Sequence, residues 1–200
     1  MSNDYYKDKA EIYGQDSGRA ANRHTIADAI IEKVTLRNDM HLMDFGSGTG
    51  MLLERIAPQV AKITAVDVST AMNEQLRKKQ TEIKCELELL EMDLCTESLD
   101  QTFDGIISSM TMHHIEDVPA MFATFYSMVK QGGFIAIADL ETEDGSFHTE
   151  DTGVFHCGFS KEALIEFAHV AGFKGAEISL ASTINKPHGD YPVLLLTATV

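Results

Sequence analysis

Two hundred residues suit one domain, taken here as residues 1–200, and are ample for a sizeable core. A hydrophobic share of 44% and a charged share of 24% are ordinary for a soluble globular chain. The formal charge of −15 argues against nucleic acid or an anionic membrane surface as a main partner, because both select a basic face.

Residues 1–17 are polar but hold Tyr5, Tyr6, Ile12 and Tyr13, which suits a surface helix or a flap of aromatic rings over a cleft. No apolar leader-like run is present at the start and no stretch reaches transmembrane length, so the expected address is the cytoplasm. From Gly18, the spacing of Ala27, Ile30, Ile31 and Val34 predicts a helix that ends before Asn38-Asp39. Residues 1–37 are therefore expected to form an N-terminal helical lid segment.

The stretch HLMDFGSGTG, His41 to Gly50, follows. A short apolar run ends in Asp44-Phe45, and Gly46, Gly48 and Gly50 then let the backbone turn sharply and approach a ligand closely. Met51, Leu52, Leu53 and Ile56 open a helix expected to stop near Pro58. Strand, glycine turn and helix is how α/β proteins build a nucleotide-type cleft at the carboxyl end of a strand.

Ile63, Ala65, Val66 and Val68 predict a second strand with Asp67 at its end, and Ser69 caps the next helix, which carries Met72 and Leu76. Ile83, Cys85, Leu87 and Leu89 alternate with charged residues, which is the pattern of a half-buried strand at an edge position. Asp93-Leu94 precede a fourth strand, Phe103 to Ile107, which runs into SSMTMHH. Asp117 and Pro119 open a helix with the apolar stripe Val118, Met121, Phe122, Phe125, Val129, ended by Gly132-Gly133. Phe134 to Ala138 predicts a fifth strand stopping at Asp139.

Residues 140–159 form a long polar connection with His148 and His156, read as a lid loop. Ser160 caps a helix closed by Gly172, and two strands around Ala176–Ala181 and Val193–Thr199 finish the chain, joined by a loop with Asn185, Pro187 and Gly189. Five βα units and two final strands with no helix between them make a doubly wound, three-layer α/β sheet of Rossmann-like type. Its last two strands must pair antiparallel.

The glycine turn is not a dinucleotide fingerprint: the third small residue of G-x-G-x-x-G/A would be Met51, while the third glycine comes one residue early at Gly50. No Gly-Lys-Ser/Thr of a phosphate loop occurs. DFGSGTG, with Asp67 ending the second strand, Asp93 after the third, SSMTMHHIED after the fourth and VKQGGFIAIAD around the fifth, resembles the class I S-adenosylmethionine-dependent methyltransferases. It looks most like their small, lidded, single-domain members.

The resemblance implies a seven-stranded, mostly parallel sheet in the order 3-2-1-4-5-7-6 with the last strand reversed. S-adenosyl-L-methionine is the implied cofactor. Asp44 would attract its ammonium, and backbone at Gly46, Ser47 and Gly48 would pass beneath the sulfonium-bearing chain. Asp67 would hold the ribose hydroxyls, Asp93 and the Leu94 N–H the adenine, and Val68 and Met72 would sandwich that ring. Ser109 is a further cofactor contact.

Methyl transfer from a sulfonium needs alignment more than acid–base help, and a base only when the acceptor carries a proton. Candidates for that role are His113, His114, Asp139, His156 and Tyr13, the last resembling a position the family keeps near the cofactor. The separation of His148 and His156 matches no metal signature, and none of Cys85, Cys95 and Cys157 forms a C-x-x-C pair, so no metal is expected.

The expected activity is methyl transfer to a small-molecule acceptor by a monomer or homodimer. A non-enzymatic cofactor-binding module and a protein methyltransferase are the alternatives.

Overall fold

The computed structural model describes residues 17–150 and 152–200, with side chains from residue 22 onward. Its elements are α1 (Ser17–Lys33), β1 (His41–Phe45), α2 (Leu53–Ile56), β2 (Lys62–Asp67), α3 (Thr70–Lys79), β3 (Glu86–Glu91), β4 (Phe103–Ser109), α4 (Val118–Met128), β5 (Val129–Leu140), α5 (Lys161–Ala171), β6 (Lys174–Lys186) and β7 (Gly189–Thr199). The seven strands form one sheet in the order β3-β2-β1-β4-β5-β7-β6. β3, β2, β1, β4 and β5 run parallel, while β7 is antiparallel to both of its neighbours.

Two apolar clusters, one on each face, hold the sheet between layers of helices. Leu42, Ile107, Ala136 and Leu195 join Ile26 and Ile30 of α1 on one side. Their sequence neighbours Met43, Ile106, Ile135 and Leu194 join Phe122 and Phe125 of α4 and Leu164 of α5 on the other. This is the two-residue period of a strand with both faces buried, and it explains why these strands are continuous apolar runs.

Local signals terminate the helices as expected. The hydroxyl of Ser69 accepts the Met72 N–H at 3.2 Å, the carboxylate of Asp117 accepts the Ala120 N–H at 3.0 Å, and the Ser160 hydroxyl accepts the Ala163 N–H at 3.1 Å. Gly172 closes α5 with a φ of 110°.

Five boundaries differ from the sequence reading. The helix after the glycine turn is one turn long, because Gly50 to Leu52 are spent in the turn and Pro58 sits in the 3-10 turn Ala57–Gln59. Val68 lies past the end of β2, exposed, and β3 begins at Glu86, after Ile83 and Cys85. α4 gives way to β5 at Val129, before the Gly132-Gly133 pair, since Val129 already pairs with Phe103. The last two strands extend to a tight turn at Pro187-His188, with Asn185 paired to Asp190 and its Nδ2 donating to Asp190 Oδ1 at 2.6 Å. Turn-forming residues there mark the turn itself, and cross-strand pairing carries the ladder up to it.

The 140–159 connection is folded back on itself. The Phe159 N–H donates to Leu140 O at 2.8 Å, and the Thr142 and Glu143 N–H groups donate to Phe159 O and Cys157 O at 3.1 and 2.9 Å. Phe147 and Phe159 are buried, with the Lys186 ammonium 3.7 Å above the Phe147 ring. Among the described residues no helix is long and apolar enough to cross a membrane.

Candidate functional site

Where the strand order reverses, between β1 and β4, a cavity of about 580 Å³ opens at the carboxyl ends of the strands. It is lined by the glycine turn, the ends of β2 and β4, the segment after β3 and residues 152, 153 and 155 of the long loop. Asp44, Gly46, Ser47, Gly48, Asp67, Val68, Met72, Asp93, Ser109 and His114 all line it, although they come from five stretches of the chain.

The glycine turn forms its floor. Gly46, Gly48 and Gly50 have φ values of +71°, +55° and +79°, which side chains rarely adopt. Each glycine answers a different need. A Cβ on Gly46 would fall inside the Thr111 side chain, and one on Gly50 would run into Leu76 of α3. One on Gly48 would meet nothing within 4 Å, so it faces open ligand space.

Asp67 joins the turn to β2. Its Oδ2 accepts the Gly48 N–H at 2.7 Å and its Oδ1 accepts the Ser69 N–H at 2.8 Å. The N-terminal side of α3 and the glycine turn are thus tied to one carboxylate, with Asn73 Nδ2 donating to the carbonyls of Asp67 and Ser69. Asp93 Oδ1 accepts the Cys95 N–H at 2.9 Å, which holds a local turn at the cavity edge.

Asp44 is 1% exposed, and its Oδ2 has no hydrogen-bond partner. Burial, reinforced by the charge of Asp67 and opposed by Arg23, pushes its carboxyl up to about 7. Of the five buried, unpartnered side-chain atoms among the described residues, three sit at this turn: Asp44 Oδ2, Ser47 Oγ and Thr49 Oγ1. Buried polar groups normally have partners, so a cluster of orphans beside open space suits a polar ligand. Arg23 of α1 donates from Nη1 to Ser109 Oγ at 3.1 Å, setting a cation across the cavity from Asp44.

The histidines after β4 separate in role. His113 is 1% exposed; its Nδ1–H donates to Asp139 Oδ1 at 2.6 Å and its backbone N–H to Asp139 Oδ2 at 3.3 Å. Burial alone would raise the Asp139 carboxyl, but the His113 ring and the Leu140 and His113 N–H groups overcome it and hold it below the usual range. Neither residue lines the cavity. His114 does, and its Nδ1–H donates to Gly153 O at 3.2 Å. Burial, with a smaller effect of the nearby His113, pushes His114 down to about 4.

Two other expected residues lie apart. Leu94 is buried in the core beneath the wall, and the His156 Nε2–H is donated to Ile115 O at 2.9 Å, away from the lining. Tyr13, with Tyr5 and Tyr6, lies outside the described residues. The sequence reading missed Arg23, Thr111, Phe155 and Met110. Met110 lines the cavity with a φ of 58°, a conformation a non-glycine residue takes at strain, and no sequence pattern marked it.

Fold and site thus define a doubly wound α/β protein with a cavity at the carboxyl ends of its strands whose floor holds unpartnered polar atoms. A family model described as a methyltransferase domain matches residues 42–133. An uncharacterised methyltransferase of Schizosaccharomyces pombe is 29% identical over 167 residues, which are 75% of this chain and 57% of that protein. The chain therefore spans less than two thirds of that relative's length. Phosphoethanolamine N-methyltransferase 1 of Arabidopsis thaliana is 29% identical over 133 residues, 64% of this chain and 26% of that protein.

Among solved structures, a chain of the complex between the Haloferax volcanii Trm112 methyltransferase activator and a putative methyltransferase has a TM-score of 0.80 at 16% identity. That match covers 100% of this chain and 99% of the other. The S-adenosylmethionine–HEP complex of DhpI has a TM-score of 0.75 at 18% identity, covering 98% and 94%. These similarities support a class I S-adenosylmethionine-dependent methyltransferase. Its cofactor is S-adenosylmethionine, and the orphaned Asp44 carboxylate, the Arg23 guanidinium and the open space over Gly48 fit that molecule's ammonium, carboxylate and backbone-hugging chain.

Proposed function

We propose that this chain transfers a methyl group from S-adenosylmethionine to a small-molecule acceptor. The buried, unpartnered Asp44 carboxylate, faced by Arg23 at the floor of a cavity of about 580 Å³, carries the reading. When bound, the cofactor supplies an electrophilic methyl group on a sulfonium whose thioether is a good leaving group.

The chain's own residues do the rest. Asp44 takes the amino-acid ammonium and Arg23 its carboxylate, an arrangement of opposite charges matched to a zwitterion. Asp67, oriented by the Gly48 and Ser69 N–H groups and lining the cavity, accepts from the ribose hydroxyls. Val68 and Met72 flank the adenine, and Asp93 accepts from its amino group. Residues 140–159 act as a lid, with residues 1–37 as a second cover. His114, neutral because burial holds its pKa to about 4, takes the proton of an acceptor that carries one. His113 and Asp139 support the wall from behind, and no metal is assigned a role.

The small-molecule reading is supported by a cavity of about 580 Å³ walled on one side by residues 152, 153 and 155 of the long loop. It is also supported by a relative named for phosphoethanolamine, a small acceptor. Titration calorimetry with S-adenosylhomocysteine, then labelled S-adenosylmethionine with a metabolite extract and mass spectrometry, tests it. Micromolar binding and a labelled low-mass product are expected. No binding overturns the cofactor assignment in full, and binding with label appearing only on protein overturns the small-molecule acceptor.

A further inference from the structure

The lid carries a histidine that neither cofactor binding nor the assigned chemistry uses. His148 packs its ring 4.8 Å from Phe147, 5.2 Å from His113 and 5.9 Å from His114, centroid to centroid. Its Nδ1 is hydrogen-bonded to Thr152 Oγ1 at 3.1 Å, which ties His148 to the residue before Gly153. The next residue, Gly153, has a φ of 70° and turns its carbonyl to His114 Nδ1. A carbonyl only accepts, so the His114 Nδ1 carries the proton and the ring's lone pair is on Nε2. The Phe155 and His156 N–H groups, donated to His113 O at 3.0 and 3.2 Å, pin the far side of the same turn.

We propose that His148 and Thr152 are positioning residues that shape the lid turn so that Gly153 sets the tautomer in which His114 takes the acceptor's proton. This rests on the reading of His114 as proton acceptor. In that step the acceptor's heteroatom–hydrogen bond breaks and its electron pair stays on the heteroatom for the new bond to carbon. The proton joins Nε2 and leaves His114 as imidazolium. The base is then complete only with the lid down, so water entering an open site meets a histidine of unfixed tautomer.

Packing alone does not account for His148. Its Nε2 is buried without a partner, a cost that an apolar ring of the same size would not carry. Its charged and titratable neighbours are His113 and His114 after β4, Asp139 on β5 and Lys186 on β6. Burial first, then the two histidines and Lys186, push it down to about 4, with Asp139 opposing. His148 thus stays neutral while His114 cycles.

The test uses the full chain loaded with S-adenosylhomocysteine and nitrogen-15 spectra of the imidazoles. Wild type is expected to show His114 as the Nδ1–H tautomer. Thr152→Val keeps the side-chain shape without the hydroxyl and is expected to move His114 toward a mixed tautomer; Thr152→Ser restores it. His148→Phe is expected to act as Thr152→Val does. Calorimetric affinity for S-adenosylhomocysteine should change less than about threefold in His148→Phe, because His148 does not line the cavity; Thr152 does, so Thr152→Val is read against Thr152→Ser. With the acceptor recovered from extract, kcat should fall about tenfold or more in Thr152→Val and recover in Thr152→Ser, with KM moving less. An unchanged His114 tautomer in both Thr152→Val and His148→Phe overturns the proposal, as does a changed tautomer with unchanged kcat. Wild-type affinity for S-adenosylhomocysteine is read separately, so failure of the cofactor reading is distinguished from failure of this one.

Discussion

The side chain of Asp67, at the end of β2, accepts the backbone N–H of Gly48, in the turn after β1, at 2.7 Å. One carboxylate therefore holds the glycine cradle to the neighbouring strand at the edge of the cavity. Asp67→Ala is expected to lower affinity for S-adenosylhomocysteine by about 100-fold or more, as two hydrogen bonds to a charged acceptor are each worth about 1.5–3 kcal/mol. It should also cost about 1–3 kcal/mol of stability, because the Gly48 and Ser69 N–H groups lose their acceptor. Calorimetry and denaturant unfolding measure the two separately. Unchanged affinity would remove the ribose assignment.

The raised pKa of Asp44 links cofactor binding to protons. The folded carboxyl titrates at about 7 against an unfolded value near 3.8, so between those values the folded state holds a proton that the unfolded state has released. Asp44 thus contributes its stabilisation below about pH 4, and that contribution is lost as pH rises toward 7; the swing is on the order of 4 kcal/mol at most. Asp44→Asn should remove this trend from the unprotected protein. A bound ammonium favours the ionised form, so binding should release close to one proton at pH 6 and about half a proton at pH 7. Calorimetry in buffers of different ionisation enthalpy reads that number, and no release would contradict the pairing of Asp44 with a cation.

Gly46 and Gly48 separate stability from binding. Gly46→Ala meets both a positive φ and the Thr111 side chain, and is expected to cost roughly 2–4 kcal/mol. Gly48→Ala meets the positive φ but open space, so the cost should be nearer 1 kcal/mol while affinity for S-adenosylhomocysteine collapses. Thermal melts paired with calorimetry check the contrast. Equal stability loss in the two variants would show that Thr111 yields.

Asp139 and His113 form a buried pair whose disruption leaves an uncompensated polar group. Asp139→Ala should cost about 3–5 kcal/mol and lower Tm on the order of 10 °C. The depressed Asp139 pKa means that this carboxylate's stabilisation is present above the ordinary carboxyl range and is lost as pH falls through the lower folded value. Acid unfolding monitored by circular dichroism should therefore be less steep in Asp139→Asn than in wild type. A fully stable Asp139→Ala would contradict the supporting role.

By itself the sequence determined the sheet, its reversed last strand, the three capped helices and the cradle. Those features are written in short-range terms: glycines where φ must be positive, hydroxyls or carboxylates ahead of helices, and a two-residue period along strands. Asp44, Asp67 and Asp93 were legible because each stands at or just past a strand end, where backbone position fixes the direction of approach to the cleft.

Tertiary structure decided what depends on side chains meeting across the chain. Arg23 reaches Ser109 over 86 residues, and no local pattern marks either as its partner. The adjacent histidines after β4 were equivalent candidates until the fold turned His113 inward to Asp139 and left His114 on the cavity wall. His148 joins them because the lid folds back over β5, and Leu94 leaves the lining because its side chain serves the core. Periodicity reports which face of an element is buried, but the pairing of polar atoms between elements is settled only by how those faces pack.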